Sequence, residues 1–518
     1  MSTQLDHRPE AAVSAPAASV PPWVHERRWA ILAVLSLAVF VTVLDGTIVN
    51  VALPSLSSEL GASTRQLQWI VDAYLLVFTG LLLAAGGLGD RFGRKRALVT
   101  GLVIFGATSA FAGSASSANE LIAGRALMGI GAALIFPTTL AILTNVFADP
   151  VERAKAIGVW SAISGVAVAA GPITGGWLLE RFWWGSVFYI NVPVVIAAVI
   201  ATVVLIPESK ERNAPRLDLV GIGLSIASIT ALILTIIEAP EWGWLSINTM
   251  AGFGAAAALL TIFVRWELRS PHPILPVRIF TNRRFSAASA SITSAFFALF
   301  GFIFLVTQYF QLIQGYSPFE AGVRTLPVAF SIAISSILAP RIVEIVGTTR
   351  VVSSGLALMA VGFTWISFNS AVTSYSEIVG QMILLGVGLG LTTAPATESI
   401  MGSLHADKAG VGSAVNDTTR ELGGTLGVAV VGSVFSSVYI SSLEDAQTVA
   451  ALPHEVQELT RESVAASASI GPTLGPDAAT YLIEVSDAFI SGFGVASLVV
   501  AAVAATGSVV AAKWLPAE

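Results

Sequence analysis

Apolar segments of about 18 to 27 residues, the length a helix needs to cross the hydrocarbon layer of a bilayer, recur along the whole chain. They fall at 29–53, 67–88, 97–116, 119–143, 154–178, 184–206, 217–237, 250–267, 287–311, 320–346, 351–369, 375–399, 410–436 and 484–511. Fourteen such segments with short polar connections predict an all-helical, polytopic membrane protein. The connections are not equivalent. Between the second and third segments, Gly86 to Leu98 reads GGLGDRFGRKRAL and carries Asp90, Arg91, Arg94, Lys95 and Arg96. Cations beside apolar spans are held on the cytoplasmic side, so this run fixes how the chain is threaded, with both termini cytoplasmic. Of the 27 Lys and Arg residues, Arg65, Arg181 and Arg461 then fall outside and Arg125, Arg324 and Arg420 within spans. All the others share the inner face, a bias that a missed or invented span would scramble. Tryptophans mark both interfaces, with Trp29, Trp266 and Trp514 at inner ends and Trp69, Trp184, Trp242 and Trp244 at outer ends.

Composition excludes the main alternatives. With 54% hydrophobic and 12% charged residues and a mean hydropathy of +0.78, the chain has too little polar surface to fold as soluble domains. It has no cysteine, so disulfides, thiolate catalysis and cysteine metal sites are out. Five scattered histidines form no pair with ligand spacing, and no G-x-x-x-x-G-K-[ST] loop occurs. A metal enzyme, an ATP-driven pump and a nucleic-acid partner therefore find no support. The net charge of −6 decides nothing, because in a membrane the side on which a charge sits matters more than the sum.

The fourteen spans divide as six, two and six. Ala339 to Arg350, APRIVEIVGTTR, sits where a second copy of the first basic loop would fall and keeps an Arg341, Gly347, Arg350 skeleton. This implies two related six-helix bundles with a site near midplane between them. The expected organisation is a disordered cytoplasmic tail (1–28), an N-terminal bundle (29–206), two linker spans (207–286), a C-terminal bundle (287–511) and a cytoplasmic tail (512–518). The linker connection EAPEWGWLSIN carries acids and no cations, as an external loop should. The loop at 437–483 is Ser/Ala/Glu-rich and reads as a mobile external excursion.

Several stretches carry a family resemblance. The spacing G-x-L-x-D-R-x-G-R-K-x-x-L in Gly86 to Leu98 resembles the loop between helices 2 and 3 of the major facilitator superfamily. Leu44 to Pro54 (LDGTIVNVALP) resembles the first-helix motif of its fourteen-span drug:proton antiporters. Trp184 to Pro193 (WGSVFYINVP), Gly315 to Pro327 (GYSPFEAGVRTLP) and Gly412 to Gly427 (GSAVNDTTRELGGTLG) are similar to their sixth, tenth and thirteenth helices. The chain is thus similar to the DHA2 subfamily, the EmrB/QacA-like exporters. Two motifs depart from the pattern: Leu121 to Ala133 keeps Arg125 but has Met128 where glutamine is usual, and Ala167 replaces a common glycine upstream of Gly171 to Gly176. The resemblance implies a proton-coupled antiporter in the bacterial inner membrane that exports hydrophobic, cationic drugs or toxic compounds. Its partners would be a small lipophilic substrate, protons and the lipid bilayer, with the proton as coupling ion and no other cofactor. A periplasmic or lipid-side partner has no signature of its own in the sequence. The alternative is a dedicated exporter of one endogenous metabolite such as an antibiotic, siderophore or lipid.

The chemistry should lie in charges that have no reason to be in lipid, each costing about 2.5–3.5 kcal/mol at a span centre unless paired or hydrated. By a rise of about 1.5 Å per residue, Asp45, Asp72 and Arg125 share an outer-to-middle layer of the N-terminal half. There they are expected to form one proton-coupling network, with Arg125 keeping a neighbouring carboxylate ionised when close and releasing it when helices move. The structural readings are that Asp45 caps a break at Gly46 and that Asp72 is merely wet. In the thirteenth span Asp417 and Glu421 are i, i+4 with Arg420 between them; they either line a substrate cavity or are locked in ion pairs with Arg420. Asp90, Gly93 and Arg94 are read as an inner gate, with Asp90 pairing Arg91 or Arg94, and Arg324 as an outer gate or interface residue. Gly171, Gly175 and Gly176 flatten a helix face for close packing, while Pro172 removes a backbone donor and permits a bend; in the resembling family the stretch marks antiporters. No catalytic or metal-binding residue is expected.

Overall fold

The computed structural model describes residues 22–210, 218–403 and 409–515. Arg8, Arg212, Arg216 and Lys408, assigned above to the inner face, lie outside them, as do 1–21 of the expected N-terminal tail and 516–518 of the C-terminal one. Among the described residues there is no strand. The first group of helices is α1 (Pro22–Leu60), α2 (Thr64–Phe92), α3 (Arg94–Gly113), α4 (Ala118–Val146), α5 (Pro150–Leu179), α6 (Ser186–Tyr189) and α7 (Asn191–Leu205). Then come the linker pair α8 (Leu219–Trp242) and α9 (Ile247–Glu267). The second group is α10 (Arg283–Gln308), α11 (Pro318–Arg324), α12 (Leu326–Val346), α13 (Thr348–Ile366), α14 (Tyr375–Gly402) and α15 (Ala409–Glu444), with α16 (Gln447–Ala450), α17 (His454–Glu462), α18 (Val464–Ile470) and α19 (Ala478–Trp514) after it. Thirteen helical stretches among the described residues are long and apolar enough to span a membrane, and α2, bent by 55° beyond Leu82, makes a fourteenth.

Local chemistry sets the boundaries. Ser63 opens α2 with a capping box to Gln66, and Asp149 caps α5 by accepting from the Val151 and Glu152 amides. At the turn from α2 into α3, Gly93 takes φ +114°, and at the turn from α12 into α13, Gly347 takes φ +87°. Both donate their amides back four residues, to Gly89 and Val343 carbonyls at 3.0 and 2.8 Å. The glycine skeleton of the two halves is therefore a repeated backbone device that a side chain would strain. The end of the molecule holding Arg94 to Arg96 is here called the basic end, and the opposite one the far end.

The two bundles meet at the far end. Thr307 donates to the Asn50 carbonyl at 2.9 Å and Gln311 to the Val51 carbonyl at 3.0 Å, tying α10 and the π-helical turn Tyr309–Ile313 to α1. A Cβ added to Gly176 would stand 2.5 Å from the Pro318 carbonyl oxygen, and one on Gly322 would stand 2.2 Å from that of Pro172. The absence of side chains lets α5 and α11 touch through their backbones.

Two expectations are corrected. Residues 22–28 are not a disordered tail but the first turns of α1, with Val24 buried and Arg28 bridging Glu152 of α5 at 2.9 Å. The 437–483 segment is no loose excursion either. The helix before it runs on to Glu444, and α16 to α18 form a cap in which Tyr439 donates to the Thr460 carbonyl at 2.9 Å and Ser57 and Ser463 hydroxyls meet at 2.6 Å. Its polar composition covers the outer faces of short helices, while Val449, Val464 and Tyr481 are buried beneath. Gly322→Val should push the bundles apart at the far end. In the cysteine-free chain, a Glu180→Cys/Ser317→Cys pair, whose native side chains are hydrogen-bonded, should cross-link severalfold less in the Gly322→Val background. An unchanged yield would mean that the contact tolerates a side chain.

Candidate functional site

Arg125 and Asp45 are each 0% exposed and form an ion pair between α4 and α1. Arg125 Nε donates to the Ile70 carbonyl of α2 at 2.9 Å, and its guanidinium lies 4.3 Å from the Tyr74 ring. Asn191, at the start of α7, donates to the second Asp45 oxygen at 2.8 Å and to Ser109 of α3 at 3.1 Å. One carboxylate thus gathers five helices. Asn191 and Ser109 escaped the sequence reading; an amide beside the Ile190 break of an otherwise apolar span was the available signal. Met128 is buried in the same bundle, so its apolar side chain packs where a glutamine would need partners.

Asp72 does not join this network, contrary to the expectation of one cluster with Asp45 and Arg125. It shares their depth but not their direction, because the Ile70 carbonyl and the Tyr74 ring of α2 are what meet Arg125. Gln68, Asp72 and Leu76 fall on another face of α2 at i, i+4 and i+8. Gln68 meets α15 at the Ala429 carbonyl, and Leu76 belongs to an apolar cluster with Ile233, Ile236 and Ile237 of α8 and Ala429 of α15. Asp72 is fully buried between them, and among the described residues no group donates to either of its oxygens.

On α15 the geometry bears on the ion-pair alternative alone. Arg420 makes its hydrogen bond elsewhere, donating to Thr397 Oγ1 of α14 at 3.2 Å and lying 5.4 Å from the Phe296 ring. Among the described residues Asp417 and Glu421 have no ion pair. Asp417 accepts from Asn416 at 3.3 Å, and both carboxylates are half-buried towards the basic end.

At that end Asp90 pairs with Arg94 at 2.7 Å, not with Arg91, and Arg94 also reaches the Ala141 carbonyl at 3.4 Å. Glu208, beyond α7, completes the cluster: it accepts from the Lys95 amide at 3.1 Å, bridges Arg96 at 3.5 Å and packs over Gly93. The sequence reading missed it. Gly171 and Gly175 seat α5 on Thr47 and Ile48 of α1, while Gly176 and the Pro172 carbonyl face α11. Arg324 pairs with Glu320 at 3.6 Å and stacks 3.9 Å from Tyr316. These partners are in its own bundle, and the bundle interface is made two residues earlier, at Gly322.

Removing one member of a buried pair costs about 3–5 kcal/mol because the other charge stays behind, whereas removing both costs much less. Asp45→Asn should therefore lower the thermal stability of the detergent-purified protein, and Arg125→Met added to it should restore much of the loss. Additive losses would show that the pair is not what stabilises the bundle.

Comparisons with known proteins fit this geometry. The sequence profile of the Major Facilitator Superfamily matches residues 35–428. The chain is 34% identical over 487 residues to the multidrug efflux pump LfrA of Mycolicibacterium smegmatis, covering 93% of this chain and 96% of that protein. It is 36% identical to the methyl viologen resistance protein SmvA of Salmonella typhimurium, over 87% and 91% of the two chains. It is 32% identical to the tetracenomycin C resistance and export protein of Streptomyces glaucescens, over 100% and 96%. Among solved structures, a bacterial homolog of the human lysosomal transporter Spinster, inward-facing and unoccupied, superposes with a TM-score of 0.64 at 16% identity, covering 95% and 98%. That likeness concerns the fold alone.

Proposed function

The chain belongs to the Major Facilitator Superfamily, and from that premise we propose that it exports hydrophobic, cationic drugs or toxic compounds across the bacterial cell membrane in exchange for protons. The observation that carries the reading is similarity over nearly the full chain to efflux and resistance proteins. The site supports it. Asp72 has no hydrogen-bond donor among the described residues, and Asp417 and Glu421, near Arg420, form no ion pair with it; the three carboxylates are set on the contacting helices α2 and α15. Such groups suit protons and organic cations, which compete for the same negative charge.

Orientation follows from charge. The basic end is cytoplasmic, so a structure joined at the far end is the state that receives substrate from inside. In the reverse state the far-end contacts of Gly176, Gly322, Asn50 and Val51 part, and the cluster of Asp90, Arg94 and Glu208 helps close the inner face. The Asp45–Arg125 pair responds to this rearrangement, since each of its anchors belongs to a different helix. Separating those helices strips the carboxylate of its arginine, and a proton is then the available way to meet its charge in lipid. The proton is the coupling ion, and no other cofactor is needed.

A second reading has its own support. The similarity to a protein named for tetracenomycin C resistance and export extends over the whole chain, which fits an exporter dedicated to one endogenous product. A panel of lipophilic cations separates the two, because a dedicated exporter protects an efflux-deficient host against few or none of them.

Efflux of ethidium from cells held at constant ATP should collapse on adding a protonophore; continued efflux would refute proton antiport. In reconstituted vesicles, Asp45→Asn should abolish pH-driven dye movement while its membrane level remains measurable. Dye and protons still moving in the wild-type ratio would remove Asp45 from coupling. Asp90→Asn should leave insertion normal but slow turnover; normal transport would reduce Asp90 to a topology marker.

A further inference from the structure

A cavity of about 240 Å³ lies at the far end where α2, the linker helix α8, α15 and the cap helix α17 converge. It is lined by the capping Ser63, Arg65 and Gln68 of α2, Glu241 of α8, Ser436 of α15 and Arg461 of α17. Arg65 is paired with Glu238 at 2.9 Å and with Glu241, whereas Arg461 Nε is buried with no partner among the described residues. Glu458 and Glu462 of α17 add two more acids to the wall. The space is lined by charged side chains beside Ile237, Pro240 and Ile440 and is large enough for several waters, since one water occupies about 30 Å³ in the liquid.

Gln68 forms the part of the wall nearest the membrane interior. Its side chain is 1% exposed and its amide reaches the Ala429 carbonyl and the Ser433 hydroxyl, both at 3.5 Å. It fits because residue 432 is glycine: a Cβ there would stand 2.0 Å from Gln68 Nε2. One turn deeper on the same face, about 6 Å along the axis, lies Asp72, fully buried with both oxygens unpartnered among the described residues. A charged or polar group so placed needs water or a proton, and the cavity is separated from it by the Gln68–Gly432 contact.

We propose that this cavity is the external vestibule through which Asp72 exchanges protons with the outside, and that Gln68 seated on Gly432 is the plug between them. The inference rests on the reading that Asp72 takes part in proton exchange and adds the route, which uses the linker helix and the cap rather than the central cleft between the bundles. In the state joined at the far end the weak 3.5 Å bonds of Gln68 close the route. Parting of α2 from α15 withdraws the amide and admits water.

The cysteine-free sequence allows a direct test that needs no transported substrate. Asp72→Cys should react slowly with a membrane-impermeant maleimide added to the outside of intact cells. Adding Gln68→Ala should speed that reaction severalfold, and Gly432→Ala, which displaces the amide by intrusion, should do the same. Ser436→Cys, in the cavity wall, should react at one rate in all three backgrounds, showing that vestibule and cap are intact. Equal labelling of Asp72→Cys with and without the plug variants would overturn the proposal, as would acceleration seen only in inverted vesicles. In vesicles carrying a pH gradient, Gln68→Ala should hasten its decay severalfold and Asp72→Asn should reverse the effect; a leak that persists without Asp72 would place the route elsewhere. These readouts stand apart from export, so loss of drug efflux with normal plug behaviour would count against the antiporter reading alone.

Discussion

A charge inside a bilayer must be paired, hydrated or neutralised, and the N-terminal bundle is organised by how it meets that requirement. Arg125 satisfies it by reaching Asp45 on α1, the Ile70 carbonyl on α2 and the Tyr74 ring. Asp45 satisfies it through Arg125 and Asn191, which in turn reaches Ser109. Charge compensation and helix arrangement are therefore one problem here. No helix in this set can shift without leaving a buried group short of a partner, so a rearrangement must act on the pair as a whole.

The same requirement is met differently at the seam between the bundles. Asp72 has no donor among the described residues, and Asp417 and Glu421 sit half-buried with Arg420 drawn off to Thr397 and Phe296. Paired charges fix structure and unpaired ones leave negative potential available to a cation, so the division follows the two tasks of a transporter. Stability resides in the bundle core, and unmet negative charge is left at the seam between the bundles.

Backbone contact supplies the other constraint. Glycine at 171 and 175 seats α5 on α1, and glycine at 176 and 322 joins α5 to α11. One short stretch of α5 thus belongs to the rigid body on one side and to a separable joint on the other. Interdigitated backbones have few intermediate positions, which favours two discrete states over continuous sliding.

The sequence by itself determined the spans, their number and the end on which cations gather, because bilayer thickness and loop charge act along the chain and need no knowledge of neighbours. It also located Asp45, Arg125, Asp417 and Glu421 as charges out of place, since cost in lipid depends on residue type and depth. Partner choice depends on helix phase and on what packs opposite, and only the tertiary structure decided it. Asp72 lies level with Asp45 yet stays out of its network, Arg420 lies beside two acids yet pairs with neither, and Asp90 selects Arg94 over Arg91. Gln68, Asn191 and Glu208 look ordinary in sequence and gain their importance from what folding sets against them. The cap at 445–477 was hidden for a related reason: its short helices are stabilised by burying a few apolar residues against α15 and α19, a signal too sparse to read before the surface they cover is known.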